Sequence, residues 1–173
     1  MTWLQETGGD VSIIATTAAL LDIEENGGDQ LAAALGVAPP ASWPPPYNGP
    51  ETRAWMRKVL ADNPREPGFG SWYVIGAGRL VGAAGYKGPP DEQGTVEVGY
   101  SIVEADQRRG YASGAVNLLV ARAFRDPRVV AVRAETLPDL AGSQAVLKRC
   151  GFAQVGQRHD PEDGEILMYA IDR

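Results

Sequence analysis

The chain has 173 residues, of which 44% are hydrophobic, so we expect a single domain spanning 1–173 with a buried core. Its formal net charge of −6 argues against nucleic acid as a partner, because binding a phosphate backbone requires a basic surface. One cysteine and one histidine exclude an internal disulfide framework and a structural zinc site, so no metal is expected. The chain lacks an apolar run of about 18 residues and a signal-peptide pattern, which predicts a cytoplasmic protein without a membrane partner.

The amino-terminal part of the chain predicts one strand followed by three helices. Residues 10–16 form an apolar run typical of a strand, and Thr17 can cap a short helix over 18–21. A second helix is expected over 30–35, between capping residues on both sides. The pattern over 51–63 predicts a third helix that buries one face. The side chains expected on that buried face are Ala54, Trp55 and Val59.

The segment 39–50, called the proline-rich segment below, holds six of the 13 prolines, together with Trp43 and Tyr47. Such a stretch is stiff and extended, so it is neither a helix nor a central strand. One interpretation is a preformed aromatic wall over a substrate pocket, because stiff prolines lose little entropy on binding. The other is a surface connection in which Trp43 covers the edge of the core. A third is an interaction module that uses this segment.

The remainder of the chain predicts six more strands and two helices. Residues 71–75 and 80–86 read as a hairpin, and a strand over 95–103 extends it to a meander. The strand predicted at 129–135 follows a helix, so it should lie parallel to the strand at 95–103. A helix and a final hairpin complete the chain, over 140–149, 152–158 and 165–171. The element order is β-α-α-α-β-β-β-α-β-α-β-β, an α+β fold with a mixed sheet flanked by helices.

The stretch 95–112 carries the clearest functional pattern, a strand, a polar turn and the start of an amphipathic helix. Gly110 allows the backbone to turn tightly where the helix begins. The unpaired N–H groups of a helix start, flanked by Arg108 and Arg109, can bind phosphate oxygens. An ordinary loop with two solvated arginines would show the same residues.

The sequence Gln107-Arg108-Arg109-Gly110-Tyr111-Ala112 resembles the Gln/Arg-x-x-Gly-x-Gly/Ala signature of the GNAT superfamily of acetyltransferases. The strand before it, 96–102, resembles the branch that includes ribosomal-protein amino-terminal acetyltransferases. Residues 143–152 resemble the superfamily ending Ser-x-x-Val-Leu-x-x-x-Gly-Phe. The resemblance implies a GNAT-like fold, acetyl-coenzyme A (acetyl-CoA) as acyl donor, and transfer to an amine. The implied cofactor contacts are Ile102, Val103, Arg108, Arg109, Gly110, Tyr111, Ala112, Ser113 and Ser143.

The chemistry of amine acetylation requires a base for the ammonium proton and stabilisation of the departing thiolate. Glu97 is the candidate base, directly or through water, and its alternative role is a carboxylate paired with an arginine. Ser143 could contact the pantetheine arm or the leaving sulfur, or bond a carbonyl in its own helix. Leu140 and Leu147 occupy the positions at which many relatives have asparagine and tyrosine, so those roles cannot be transferred. The remaining candidates for the acid are Tyr111, Tyr169 and water.

These observations predict an N-acetyltransferase that transfers the acetyl group of acetyl-CoA directly to a primary amine. The acceptor is expected to be a protein amino terminus or a small molecule, with Trp43 and Tyr47 as candidate contacts. A homodimer is possible for such a domain. The alternative is a noncatalytic acyl-CoA-binding or regulatory protein on the same fold, favoured by the two leucines.

Overall fold

The computed structural model describes residues 2–173, which form one eight-stranded sheet and five α-helices. In chain order the elements are β1 (Gln5–Gly8), β2 (Val11–Ala15), α1 (Ala18–Glu24), α2 (Gly28–Leu35), α3 (Pro50–Asp62), β3 (Ser71–Gly76), β4 (Arg79–Tyr86), β5 (Thr95–Ile102), α4 (Tyr111–Arg125), β6 (Ala131–Thr136), α5 (Ala141–Arg149), β7 (Ala153–Asp160) and β8 (Gly164–Asp172). None of the helices in this described part is long and apolar enough to cross a membrane.

The sheet has the order β1-β2-β3-β4-β5-β6-β8-β7 and is mixed. Every neighbouring pair is antiparallel except β5 and β6, which are connected through α4 and run parallel. The predicted α+β fold and this parallel connection are confirmed. The parallel pairing joins Thr95–Val98 to Ala131–Ala134 and then stops, although β5 continues to Ile102. The two strands therefore diverge beyond Val98.

Two apolar clusters cover opposite faces of the sheet. The larger one packs α4 and α5 against β2 to β6, and its centre includes Val116 and Leu119 of α4. The smaller one packs α1 and α2 against β2, β3 and β4, through Leu20, Leu31 and Tyr73. Because strand side chains alternate between faces, β3 contributes Trp72 and Val74 to the larger cluster and Tyr73 and Ile75 to the smaller one.

The amino terminus differs from the prediction, because a hairpin replaces the single strand. β1 pairs with β2 from Gln5–Ile14 to Gly8–Val11. Its residues are polar and mostly exposed, so they lack the apolar alternation by which a strand is recognised in sequence. The strand is held at the sheet edge partly by Glu6, which forms ion pairs with Arg122 and Arg125 of α4.

The prediction for the buried face of α3 is wrong for Ala54 and Trp55, whereas Val59 is half-buried. Ala54 and Trp55 are exposed, and Met56 is the one buried residue of this helix. The physical reason is that α3 does not lie flat on the sheet. It docks against α1 through Arg57, which pairs with Asp22 at 2.7 Å and with Glu25 at 2.8 Å, and its remaining face borders a cleft.

Replacing Leu119 by Ala should destabilise the fold, because this side chain is 0% exposed between α4 and the sheet. The expected loss is about 2–5 kcal/mol in the free energy of unfolding, measured by urea denaturation. Val155→Ala is the control, since Val155 is 59% exposed on the edge strand β7. It should cost less than about 1 kcal/mol. Equal losses for both variants would contradict this assignment of the core.

Candidate active site

The loop between β5 and α4 presents a row of free backbone donors. Gly110 precedes the helix with a φ of 83°, and Arg108 also has a positive φ, of 62°. Within residues 2–173 no acceptor is recorded for the N–H groups of residues 108 to 113. The Gln107 side chain fixes the base of the loop by donating to the Ile102 carbonyl at 3.0 Å. Such a loop can bind an anion through several N–H groups together with the helix dipole.

The side chains of this loop serve different purposes. Arg108 and Arg109 are exposed and add positive charge beside the free N–H groups. The Tyr111 ring packs tightly against β3, since a Cβ at Gly76 would lie 2.7 Å from it. Tyr111 therefore contributes a backbone donor to the loop, while its side chain anchors the start of α4. Ser113 is buried, and its hydroxyl accepts a hydrogen bond from Arg149 at 3.4 Å.

The divergence of β5 from β6 exposes a second set of backbone groups. On the β4 side, Val103 donates to the Val81 carbonyl at 2.9 Å, and the Glu97 carbonyl accepts from Lys87. Backbone groups alternate along a strand, so those of Tyr100 and Ile102 point to the opposite side, where pairing with β6 has ended. Of the two strand amides expected to bind a ligand, Ile102 is thus available, and Val103 is already bonded to β4. The free strand N–H groups are therefore those of Tyr100 and Ile102.

A cleft of about 390 Å³ lies beneath α3, on the face of β4 and β5 that is opposite α4. Its floor includes Gly99, and a Cβ built there would meet no atom within 4 Å. Tyr47 and Asn48 of the proline-rich segment form part of its wall. That wall is tied to the floor by Ser101, whose hydroxyl donates to the Pro46 carbonyl at 2.6 Å. The other lining residues are Thr52, Trp55, Met56, Ser71, Ala83, Ala84, Gly85, Tyr86, Lys87 and Tyr100.

Glu97 lies on the same face of β5 as Gly99 and Ser101, because side chains alternate along a strand. Its side chain is 26% exposed and forms an ion pair with Lys87, and Lys87 lines the cleft. The partner that the sequence left open as an arginine is therefore a lysine. Glu97 is not itself among the residues that line the cleft, and it adjoins the cleft through its ion pair with Lys87.

Tyr100 is a functional candidate that the sequence did not reveal. Its hydroxyl lies 2.9 Å from the Ser143 hydroxyl and donates to the Ser143 carbonyl at 3.0 Å. Burial raises the pKa of Tyr100 to about 12, so this hydroxyl stays protonated at neutral pH. The hydrogen bonds join β5 to the first turn of α5 across the point at which β5 and β6 separate. In the sequence Tyr100 is one more apolar position of an alternating strand, and no pattern links it to Ser143.

The two aromatic residues of the proline-rich segment fit different interpretations among the three that the sequence left open. Tyr47 lines the cleft and is 80% exposed, as expected for a wall. Trp43 packs against the smaller core cluster and donates its indole N–H to Glu24 at 3.1 Å. It does not contact the cleft, because the indole is directed inwards beneath the segment. The structure therefore places Trp43 away from the cleft in which the sequence predicted an acceptor contact for it.

With this geometry in place, similarity to known proteins identifies the family. A family model described as an acetyltransferase (GNAT) domain matches residues 29–153. An uncharacterized N-acetyltransferase of Bacillus subtilis strain 168, YjdG, is 31% identical over 137 residues, which cover 77% of this chain and 80% of the relative. The chain belongs to the GNAT family of acetyltransferases. The predicted family, the N-acetyltransferase activity and acetyl-CoA as acyl donor are thereby confirmed.

Solved structures of GNAT enzymes share the fold at low sequence identity. The microcin C7 self-immunity acetyltransferase MccE, solved with acetyl-CoA and AMP, has a TM-score of 0.71 at 14% identity, covering 96% of this chain and 94% of its own. The ribosomal-protein-S5-alanine acetyltransferase of Vibrio fischeri has a TM-score of 0.69 at 14% identity, covering 98% of this chain and 96% of its own. The whole length described here therefore follows the GNAT architecture.

Replacing Gly110 by Ala should weaken coenzyme A binding. A Cβ at Gly110 meets nothing within 4 Å, so the cost comes only from the left-handed backbone and amounts to about 1–2 kcal/mol. Relieving that strain moves the free N–H groups, and we expect the Kd for coenzyme A, measured by calorimetry, to rise about tenfold.

Gly36→Ala is the matched control for this experiment. Gly36 also has a positive φ, of 72°, and open space around a Cβ, but it ends α2. The substitution should lower stability by a similar amount and leave the Kd for coenzyme A unchanged. An unchanged Kd for folded Gly110→Ala would show that the loop does not hold the ligand.

Proposed function

We propose that this GNAT protein transfers the acetyl group of acetyl-CoA directly to a primary amine that carries no second positive charge, such as a peptide amino terminus. The observation that carries the proposal is the position of β5 between two openings. On one side of this strand lie the gap toward β6 and the free N–H groups of the loop, and on the other lies the cleft. Donor and acceptor can thus meet at the same strand without an intervening enzyme-bound acyl group.

The donor side fits acetyl-CoA through groups of this chain. The N–H groups of 108 to 113, with Arg108 and Arg109 beside them, suit a pyrophosphate, because several weak donors and two cations act together. The free carbonyl of Tyr100 and the free N–H of Ile102 suit the amides of a pantetheine arm, which can bond to a strand edge as another strand would. The complex of MccE with acetyl-CoA supports the same use of the fold.

The acceptor side favours an amine with a single charge. Among the described residues that line the cleft, Lys87 is the one charged group, and none is a carboxylate. A polyamine or an aminoglycoside would therefore bring several positive charges into a site that offers no countercharge beyond Glu97. A peptide amino terminus brings one ammonium group and a neutral backbone. Although the net charge of the chain is −6, the charged residue that lines this cleft is positive.

Glu97 is proposed to accept the proton of the acceptor ammonium, directly or through one water. The freed amine then attacks the acetyl carbonyl carbon, a C–N bond forms, and the C–S bond breaks. The proton that the nitrogen loses passes to the departing thiolate, which leaves as the free thiol of coenzyme A. The backbone N–H of Tyr100 faces the gap and can polarise the carbonyl. The Tyr100 hydroxyl has one proton, which it can turn from the Ser143 carbonyl toward the departing sulfur and its developing negative charge, while the Ser143 hydroxyl donates to the Tyr100 oxygen. Tyr100 and Ser143 would then serve in place of the side chains missing at Leu140 and Leu147.

Thiol release from acetyl-CoA tests the activity and the acceptor class together. Peptides with a free amino terminus should give turnover, and amino-terminally blocked peptides of the same sequence should give none. Spermidine and kanamycin should be poor acceptors at equal concentration. Preference for these polycations would contradict the proposed acceptor, and no release with any amine would favour a noncatalytic acyl-CoA-binding protein.

Glu97→Gln should lower kcat by roughly 10²- to 10⁴-fold if Glu97 is the base, because an amide cannot accept the proton. The Kd for coenzyme A should not change. Glu92→Gln is the control, because Glu92 is exposed in the turn before β5. The acceptor panel would be repeated with each variant, and a wild-type pH–rate profile in the Glu97→Gln enzyme would exclude the role.

Tyr100→Phe should lower kcat by roughly 10²-fold while leaving the Kd for coenzyme A within about threefold of wild type. Tyr169→Phe is the comparison, because Tyr169 is also a tyrosine of this face, is 1% exposed, and makes no hydrogen bond to Ser143 within residues 2–173. Steady-state kinetics at saturating acceptor measures both. A loss of kcat in Tyr169→Phe alone would move the role to that residue.

A further inference from the structure

Glu24 is a buried carboxylate that the proposed chemistry does not use. It ends α1, is 6% exposed, and accepts two hydrogen bonds from neutral donors. The Tyr73 hydroxyl donates to one oxygen at 2.7 Å and the Trp43 indole N–H to the other at 3.1 Å. Within residues 2–173 it forms no ion pair. Burial and the neighbouring Glu24 raise the pKa of Tyr73 well above its usual value, so Tyr73 remains a donor.

Such an arrangement lowers stability relative to an apolar core. Removing a carboxylate from water without a cationic partner is costly, and two hydrogen bonds only partly offset that cost. A leucine at this position would also leave the Tyr73 hydroxyl and the Trp43 indole N–H without this acceptor. One of the two hydrogen bonds reaches a segment with no regular structure of its own.

The Trp43 hydrogen bond is one of two anchors of the proline-rich segment. Trp43 lies in close contact with α2, since a Cβ at Gly28 would lie 2.5 Å from the Trp43 Cβ. The second anchor is the Pro46 carbonyl, which accepts from Ser101 at 2.6 Å and from Asn48 at 2.9 Å. The part of the segment that follows these anchors forms the wall of the cleft.

The wall itself is held in a strained conformation. Tyr47 has a φ of 64°, which is rare for an aromatic residue, and its carbonyl accepts from Thr52 at 2.9 Å. A residue in this region persists only where its surroundings fix it, and such residues cluster at binding sites. Tyr47 is thereby presented over the cleft without being buried.

We propose that Glu24 is a positioning residue for acceptor binding, acting through Trp43 to hold Tyr47 and the proline-rich segment as a preformed wall of the cleft. The proposal rests on the proposed function, since it assigns the acceptor to this cleft. A wall that is already ordered loses little conformational entropy when the acceptor binds. Loosening it should therefore weaken binding of the acceptor and leave the chemical step and the donor site intact.

Two substitutions separate this role from simple stabilisation, because each removes one donor from the same carboxylate. Trp43→Phe removes the donor on the segment and should raise the acceptor KM about tenfold, with little change in kcat or in the KM for acetyl-CoA. Tyr73→Phe removes the donor on β3 and should lower the Tm without raising the acceptor KM. Equal acceptor KM values for the two variants would overturn the proposal.

Two substitutions of Glu24 itself test the anchor directly. Glu24→Gln should keep a near wild-type acceptor KM, because an amide can accept from Trp43 and donate to the Tyr73 oxygen. Glu24→Ala removes both hydrogen bonds and should reproduce the KM effect of Trp43→Phe. An acceptor KM that rises in Glu24→Gln but not in Glu24→Ala would contradict an anchoring role.

Limited proteolysis makes the test independent of activity. Chymotrypsin should cut after the exposed Tyr47 faster in Trp43→Phe than in wild type or in Tyr73→Phe, with the cleavage site mapped by mass spectrometry. Unchanged cleavage in Trp43→Phe would overturn the anchor even if the enzyme is active. Absence of thiol release in the wild type, with faster cleavage in Trp43→Phe, would overturn the proposed function alone.

Discussion

The short parallel pairing between β5 and β6 is the constraint on which the site depends. Two parallel strands need a crossover connection, and here that connection is α4. The helix must begin where β5 ends, so its unpaired N–H groups lie at the edge of the same strand. Because the pairing covers only four residue pairs, the strand beyond Val98 keeps free backbone groups next to that helix start. One topological feature thus supplies both parts of the donor site.

The alternation of side chains along β5 then separates the two substrates. Glu97 and Ser101 lie on the cleft face of β5, where Glu97 pairs with Lys87 of the cleft and Ser101 holds the proline-rich segment. Tyr100 points to the other face, where it bonds to Ser143 of α5. Residues adjacent in sequence therefore serve the acceptor on one side and the donor on the other, without a long-range rearrangement. As a consequence β5 is a central strand that is only partly buried. The apolar side chains that hold it in the sheet are those packed in the larger cluster beneath α4.

The elements that sequence patterns predicted well are those whose interactions are local or periodic. The meander of β3, β4 and β5, the amphipathic α4 and the glycine at its start follow from alternation, helical periodicity and backbone conformation. The strand β1 was missed, because its residues are polar and its pairing with β2 is its main support. The burial of α3 was wrong, because a helix that docks through Arg57 against two carboxylates does not need an apolar face.

The sequence by itself determined the family, the order of most elements and the loop at 107–112, because a run of consecutive residues encodes each of them. Only the tertiary structure decided which groups meet. Tyr100 and Ser143 are 43 residues apart, and Glu24 and Tyr73 are 49 apart. Neither pair belongs to a local pattern. Their contact depends on how α5 and α1 pack on opposite faces of the sheet, and packing of that kind is a property of the whole chain.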